Sequence, residues 1–193
     1  MTYQIKNIKE EILADDWVPL KKLMFDYQNM DGSWNHMDRE AYCRPNAVAC
    51  LLYNTVKKTV ILTQQFRMPV YLSNKDDAFI LEACAGILED ETAEGAMLRE
   101  IEEETGYHLA AAKKIYEVYS SPGAMTEKVY GFVASYRDED KKSKGGGLAE
   151  ENEDIKVVEF TFDEIKKMMQ ENRIKDAKTL LLLQYAALNI FEN

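Results

Sequence analysis

The stretch EDETAEGAMLREIEEETG, residues 89–106, is the most unusual part of this chain. Its pattern predicts a helix over Glu94–Thr105, with Gly106 in the stop position. Glu100 and Glu104 are four apart and share a helix face, with Glu103 beside them. Met97 and Ile101 offer an apolar contact on a neighbouring face. Glu102, Glu103 and Glu104 stand in the last turn, where the helix dipole disfavours each anion by roughly 0.3–1 kcal/mol. Repulsion between Glu100 and Glu104 adds about 0.2–0.5 kcal/mol. One reading is a solvated acidic surface. The other is a compensating cation, for which a hard divalent ion such as Mg2+ suits an all-oxygen site and bridges to phosphate.

The acidity of the whole chain traces to this stretch and one other. The 193 residues carry a formal charge of −10, from 34 Asp and Glu against 24 Lys and Arg. Residues 89–104 hold eight acids and one Arg, and residues 138–154 hold seven acids and three Lys. These two segments together carry −11, so the remainder is close to neutral. Such a balance argues against a general nucleic-acid binder, which needs Lys and Arg to displace phosphate counterions. Two histidines and three cysteines without C-x-x-C spacing argue against a Cys/His zinc site and for reduced thiols in a cytoplasmic protein. His36, His108 and the cysteines read as structural. No apolar leader and no 18-residue apolar run is present, so neither secretion nor a membrane span is expected. At 46% apolar residues there is material for a real core.

Working outward, residues 3–44 read as short strands with a turn at Asp31-Gly32, and have too few large apolar side chains for a core of their own. The runs Val48–Tyr53 and Val60–Gln65 predict a hairpin, and Phe79–Ala85 a strand ending at Gly86. Ile115–Tyr119, Lys128–Tyr136 and Ile155–Phe162 read as further strands, and residues 137–151 as a polar loop around Gly145-Gly146-Gly147. Thr161 and Glu164 have capping-box spacing for a helix to about Asn172, and Asp176–Asn189 forms a second. This order predicts an α+β fold with layered helices and sheet.

Gly86 and then Arg99-Glu100-Ile101-Glu102-Glu103-Glu104-Thr105-Gly106-Tyr107 resemble the Nudix hydrolase box: glycine, five residues, Glu, seven residues, then R-E-U-x-E-E-x-G-U with U bulky and apolar. The second half matches at every specified position. The first half is one residue short: counted back from Arg99, the earlier Glu falls on Glu91 and the glycine on Ala85. Ser121-Pro122-Gly123 is similar to the marker of Nudix enzymes acting on ADP-ribose and other nucleoside diphosphate sugars. Leu51-Leu52-Tyr53-Asn54, Gln65-Phe66-Arg67, Glu82-Ala83-Cys84-Ala85-Gly86, the triple glycine and Lys178-Thr179-Leu180-Leu181-Leu182 look most like the GDP-mannose pyrophosphatase subgroup.

The resemblance implies a Nudix α/β/α sandwich with a mixed sheet over residues 45–193, and a small N-terminal β domain over 1–44 that is exchanged in a homodimer. It implies a Mg2+-dependent hydrolase, with Mn2+ as a possible substitute, acting on a nucleoside diphosphate sugar. GDP-mannose is the first expectation and ADP-ribose the alternative. A non-catalytic sensor that binds nucleotide sugars is a rival of another class. Carried over residue by residue, the metal ligands are the Ala85 carbonyl, Glu100, Glu104 and a loop glutamate, Glu153 or else Glu151. Glu103, Glu104 and Glu153 are the catalytic carboxylates. Arg99 orients the glutamates. Trp17, Arg39, Glu40, Arg67, Glu127 and Lys178 are the expected substrate contacts. Neither nucleic acid nor membrane is an expected partner.

Overall fold

Charged and apolar residues mingle along the first forty residues without a long apolar run, and they fold as a small antiparallel sheet. The computed structural model describes residues 4–191, apart from the side chain of Glu151. Residue 3, where the strand-forming region was expected to begin, lies outside them. The strands are β1 (Ile5–Asp15), β2 (Pro19–Gln28) and β3 (Trp34–Tyr42), in that order in the sheet. They are longer than the short strands expected from sequence. The β2–β3 ladder is regular from Leu20↔Tyr42 to Gln28↔Trp34, closed by a turn in which Asn29 N–H donates to Ser33 O. The β1–β2 ladder has two register shifts, and every residue of β1 is exposed, which explains why β1 carries no clear alternation.

Two compact units divide the chain. The smaller runs up to Asn46 and also takes in Tyr119–Lys128; the larger comprises Ala47–Val118 and the described residues from Val129 onward. Within the smaller unit, Tyr42 donates its N–H to Ala124 O and accepts at its carbonyl from Thr126 N–H, which fastens the 121–126 segment to the end of β3.

The larger unit is built on the run at 48–53, which has no polar side. It lies in β4 (Ala47–Asn54), at the centre of a mixed seven-stranded sheet. The other members are β5 (Thr59–Phe66), β6 (Phe79–Glu82), β7 (Cys84–Ile87), β8 (Lys113–Tyr119), β9 (Lys128–Ser135) and β10 (Lys156–Thr161). The path runs β10-β5-β4-β9-β8, with β4 and β9 parallel. Both faces of β4 are covered, as a continuous apolar run requires. Ala49 and Leu51 pack with Phe162, Ile165, Leu182 and Leu183 on one side. Val48, Cys50 and Leu52 pack with Ala96, Met97 and Ile101 on the other.

The expected 48–65 hairpin forms, but its strands pair only at Leu52↔Ile61, Tyr53↔Val60 and Asn54↔Thr59. Beyond that they splay. The segment 79–87 enters the gap, β6 pairing with β5 and β7 with β4. One strand was expected here. Two form, because at Ala83 the N–H leaves the ladder and donates to Thr179 Oγ1 at 2.6 Å.

Among the described residues, four α-helices complete the unit: α1 (Met68–Ser73), α2 (Ala93–Glu100), α3 (Phe162–Gln170) and α4 (Ala177–Asn189). The Thr161/Glu164 capping box is present at α3. Asp176 caps α4 by accepting from Thr179 N–H. No described helix is long and apolar enough to cross a membrane.

Thr179 therefore ties three elements, accepting from Ala83 N–H and donating to Asp176 Oδ2 while fully buried. Thr179→Val keeps the shape and leaves a buried N–H and a carboxylate oxygen short of partners. We expect a loss of about 1–3 kcal/mol, seen as a fall in Tm of roughly 3–10 °C for a chain of this size.

Candidate active site

The acidic helix does not run unbroken to Thr105 as expected. The α-helix stops at Glu100, and Ile101–Thr105 form a π-helical turn before Gly106 closes it at φ 77°. π turns widen the backbone and recur at functional sites. Here the turn carries Glu104 inward. Its side chain is 2% exposed, and Oε2 accepts from Ala85 N–H of β7 at 3.2 Å. The buried Cys84 thiol, a weak donor, lies beside the same carboxylate. Burial pushes the Glu104 pKa up to about 8, against the pull of those two donors.

Glu100 lies one turn earlier against β7. A Cβ built on Gly86 would collide with the Glu100 carboxyl, so only glycine admits it. Burial raises Glu100 to about 7, although Arg99 beside it works in the opposite direction. The Arg99 guanidinium spans three carboxylates: Nη1 lies 3.0 Å from Glu100 Oε1 and 2.8 Å from Glu103 Oε2, and Nη2 lies 3.1 Å from Glu91 Oε1. Glu91, the displaced residue of the motif, is thus tied to the arginine.

The triple glycine closes over the end of this helix. Gly146 N–H donates to Glu104 O and Gly147 N–H to Glu103 O, supplying the donors that a helix C-terminus lacks. The same loop returns through Glu153, whose Oε2 accepts from Leu148 N–H at 3.0 Å. The Glu153 charge acts on both Glu100 and Glu104. The structure therefore brings together Ala85, Glu100, Glu103, Glu104 and Glu153. The side chain of Glu151, the alternative loop glutamate, lies outside the described residues.

The donor set fits a hard divalent cation: oxygen donors, among them the buried Glu104 and the partly buried Glu100, without an adjacent lysine. The side chains do not form a closed cage. Among the described residues no three acidic, His or Cys side chains converge at ligand spacing. Glu103 is turned to Arg99 and Glu153 to its own loop. A cation that retains several waters needs only part of the set at once.

A second group lies in the same unit. Arg67 Nε donates to Glu82 Oε2 at 2.7 Å, and Lys178 Nζ donates to Glu82 Oε1 and to Asp176 Oδ1. Burial works against the charge on Lys178, but Glu82 and Asp176 outweigh it and hold its pKa above the ordinary lysine value.

The remaining expected contacts belong to the smaller unit. Trp17 is 64% exposed and its ring lies 4.7 Å from the Arg44 guanidinium. Arg44 Nε lies 3.3 Å from Glu127 Oε1 without hydrogen-bond geometry. Arg39 and Glu40 line a surface cleft of about 640 Å³ with Lys22, Asp38 and Tyr42 of the same sheet and the 123–125 segment.

Sequence reasoning missed Glu82, Cys84 and Arg44. Glu82 and Cys84 lie in the Glu82–Gly86 stretch already singled out. A glutamate between apolar neighbours in a predicted strand was the available signal for the first. Cys84 is buried beside Glu104, and no described cysteine is in a disulfide. The histidines also have neighbours: His36 contacts Asp26 at 2.9 Å and His108 contacts Glu102 at 2.7 Å, both at the surface.

Comparison with known proteins identifies the family. A family model described as the GDP-mannose pyrophosphatase NudK N-terminal domain matches residues 4–42, and one for the NUDIX domain matches residues 44–182. The chain is 42% identical to GDP-mannose pyrophosphatase of Yersinia pestis (strain Pestoides F), over 99% of this chain and 96% of that protein. It is 40% identical to GDP-mannose pyrophosphatase of Salmonella arizonae, over 96% of each. A crystal structure of an ADP compounds hydrolase shares the fold, with a TM-score of 0.70 and 16% identity over 99% of this chain and 97% of that one. With a family model covering most of its length and full-length relatives at this identity, the chain belongs to the Nudix family of hydrolases.

Proposed function

We propose that this chain is a Mg2+-dependent pyrophosphatase of nucleoside diphosphate sugars that hydrolyses GDP-mannose to GMP and mannose 1-phosphate. The observation that carries the reading is the pair of desolvated carboxylates, Glu100 and Glu104, set against the β7 backbone. Near-full-length similarity to GDP-mannose pyrophosphatases supports the choice of sugar nucleotide.

The metal ligands in this reading are the Ala85 carbonyl, Glu100, Glu104 and Glu153, with Glu151 as the alternative loop ligand. Mg2+, or Mn2+ in its place, neutralises diphosphate oxygens and lowers the pKa of bound water when present. Glu103 or Glu153 takes the proton of the attacking water as its oxygen bonds to phosphorus and the bridging P–O bond breaks. Arg99 holds Glu100 and Glu103 in place and does not touch substrate. Arg67 and Lys178 bind phosphate, and Glu127 binds the substrate beside the Ser121-Pro122-Gly123 turn.

The N-terminal region 1–44 acts as an exchanged sheet in a homodimer, so that Trp17, Arg39 and Glu40 serve the partner's site. Supporting this, β1 exposes Ile8 at 60% and Ile12 at 58% along an unpaired edge, which an isolated protein normally protects. The Ser121-Pro122-Gly123 turn favours ADP-ribose as a second substrate reading. Retention of Glu100, Glu103 and Glu104 disfavours a non-catalytic sensor.

Measuring kcat/KM with Mg2+ over a panel of nucleoside diphosphate sugars should rank GDP-mannose first; a clear preference for ADP-ribose overturns the substrate assignment. Glu104→Gln should leave a folded protein and lower kcat on the order of 100-fold or more, since a metal ligand is lost. Light scattering at micromolar concentration should report a dimer, and a monomer would remove the shared-site roles of Trp17, Arg39 and Glu40.

A further inference from the structure

Glu82 is a buried carboxylate that the reaction outlined above does not use. It ends β6, is 4% exposed, and gives one oxygen to Arg67 Nε and the other to Lys178 Nζ. These partners are 15 and 96 positions away in the chain, one just after β5 and the other in the first turn of α4. Asp176 takes a second N–H of Lys178 at 2.9 Å and is itself fixed as the cap of α4. Two cations and two anions thus alternate as Arg67, Glu82, Lys178 and Asp176.

A buried ion network of this kind contributes little to stability compared with apolar packing of the same volume. What it does well is fix geometry. The two anions are held deep or capped, whereas both cations remain half-buried, with part of each side chain at the surface. Arg67 presents a planar fork and Lys178 a point charge, the two complementary ways of meeting a phosphate. Without the carboxylate between them the two cations would repel each other and separate. Glu82 also precedes Ala85 by three residues, so an extended chain places it within about 10 Å of that carbonyl. That distance is comparable with the length of a diphosphate group and its attached sugar.

We propose that Glu82 is a positioning residue that holds Arg67 and Lys178 side by side so that together they receive one phosphate of the substrate. The inference rests on the pyrophosphatase reading above and adds to it the group that organises the substrate's second anchor. Glu82 touches neither substrate nor metal. It keeps its two partners while their remaining N–H groups turn to phosphate.

The test is steady-state kinetics of the full chain with Mg2+ and GDP-mannose. Glu82→Gln should raise KM on the order of 10- to 100-fold, the scale of a charge-assisted contact, while kcat falls by less than about threefold. Glu82→Asp, which keeps the charge but withdraws it, should raise KM by less than the Gln variant. In an Arg67→Ala background, Glu82→Gln should add no more than about threefold in KM, because the two changes disable one anchor. If Glu82 served only folding, loss of active protein would lower apparent kcat at unchanged KM, and this distinguishes the roles even when part of the Gln variant is unfolded. Unchanged KM in Glu82→Gln, or fully multiplicative effects with Arg67→Ala, overturns the inference while leaving the function intact. A wild-type protein that cleaves none of the nucleoside diphosphate sugars overturns the function, and the role of Glu82 with it.

Discussion

A carboxylate buried beside another carboxylate is the constraint around which the larger unit is arranged. Glu104 has lost nearly all contact with water, and in exchange it has one backbone N–H, with only the Cys84 thiol beside it. Burying a charge on such terms is expensive unless a counter-charge arrives. Glu100 is under the same pressure, and Arg99 relieves it only in part, since that arginine is shared with Glu91 and Glu103. The arrangement makes sense for a protein whose working state includes a cation. It also resolves the apparent conflict between a formal charge of −10 and an anionic substrate.

Several features of the fold serve that constraint. The β4–β5 hairpin splays and 79–87 enters the sheet, which sets Glu82 beside β5 and Ala85 beside β4. The π turn directs Glu104 to Ala85 N–H, and Gly86 leaves room for Glu100. The triple-glycine loop has a double role. It satisfies the carbonyls of Glu103 and Glu104, and it returns Glu153 to the neighbourhood of the acidic pair. Glu153 therefore stands on the same loop that caps the helix.

The sequence was most informative where a local pattern carries the chemistry. Arg99–Tyr107 announced both a helix and a family, and the capping box at Thr161 fixed the start of α3. The apolar runs at 48–53 and 60–65 announced a buried hairpin. Features set by distant contacts were not legible. The break at Ala83 depends on Thr179, 96 positions away, and the pairing of Glu82 depends on Arg67 and Lys178. The π turn accompanies the contact of Glu104 with β7, 19 positions away, which helical periodicity does not encode. Helix α1, six residues with proline in its first turn and no buried residue, offered no amphipathic signal.

The central claim is that Glu100 and Glu104 are held for a divalent cation. Their folded pKa values, about 7 and about 8, lie above the ordinary 4.5 for glutamate. For an acid raised in this way, the metal-free fold gains stability from protonation, and that gain is lost as pH rises through the folded values. A cation binding the ionised pair offsets the loss. The direct measurement is the unfolding midpoint in Mg2+ and in EDTA at matched ionic strength, at pH 6 and at pH 8.5. The account predicts a higher midpoint with Mg2+, by a margin that is larger at pH 8.5. Equal midpoints with Mg2+ and EDTA at both pH values would contradict it.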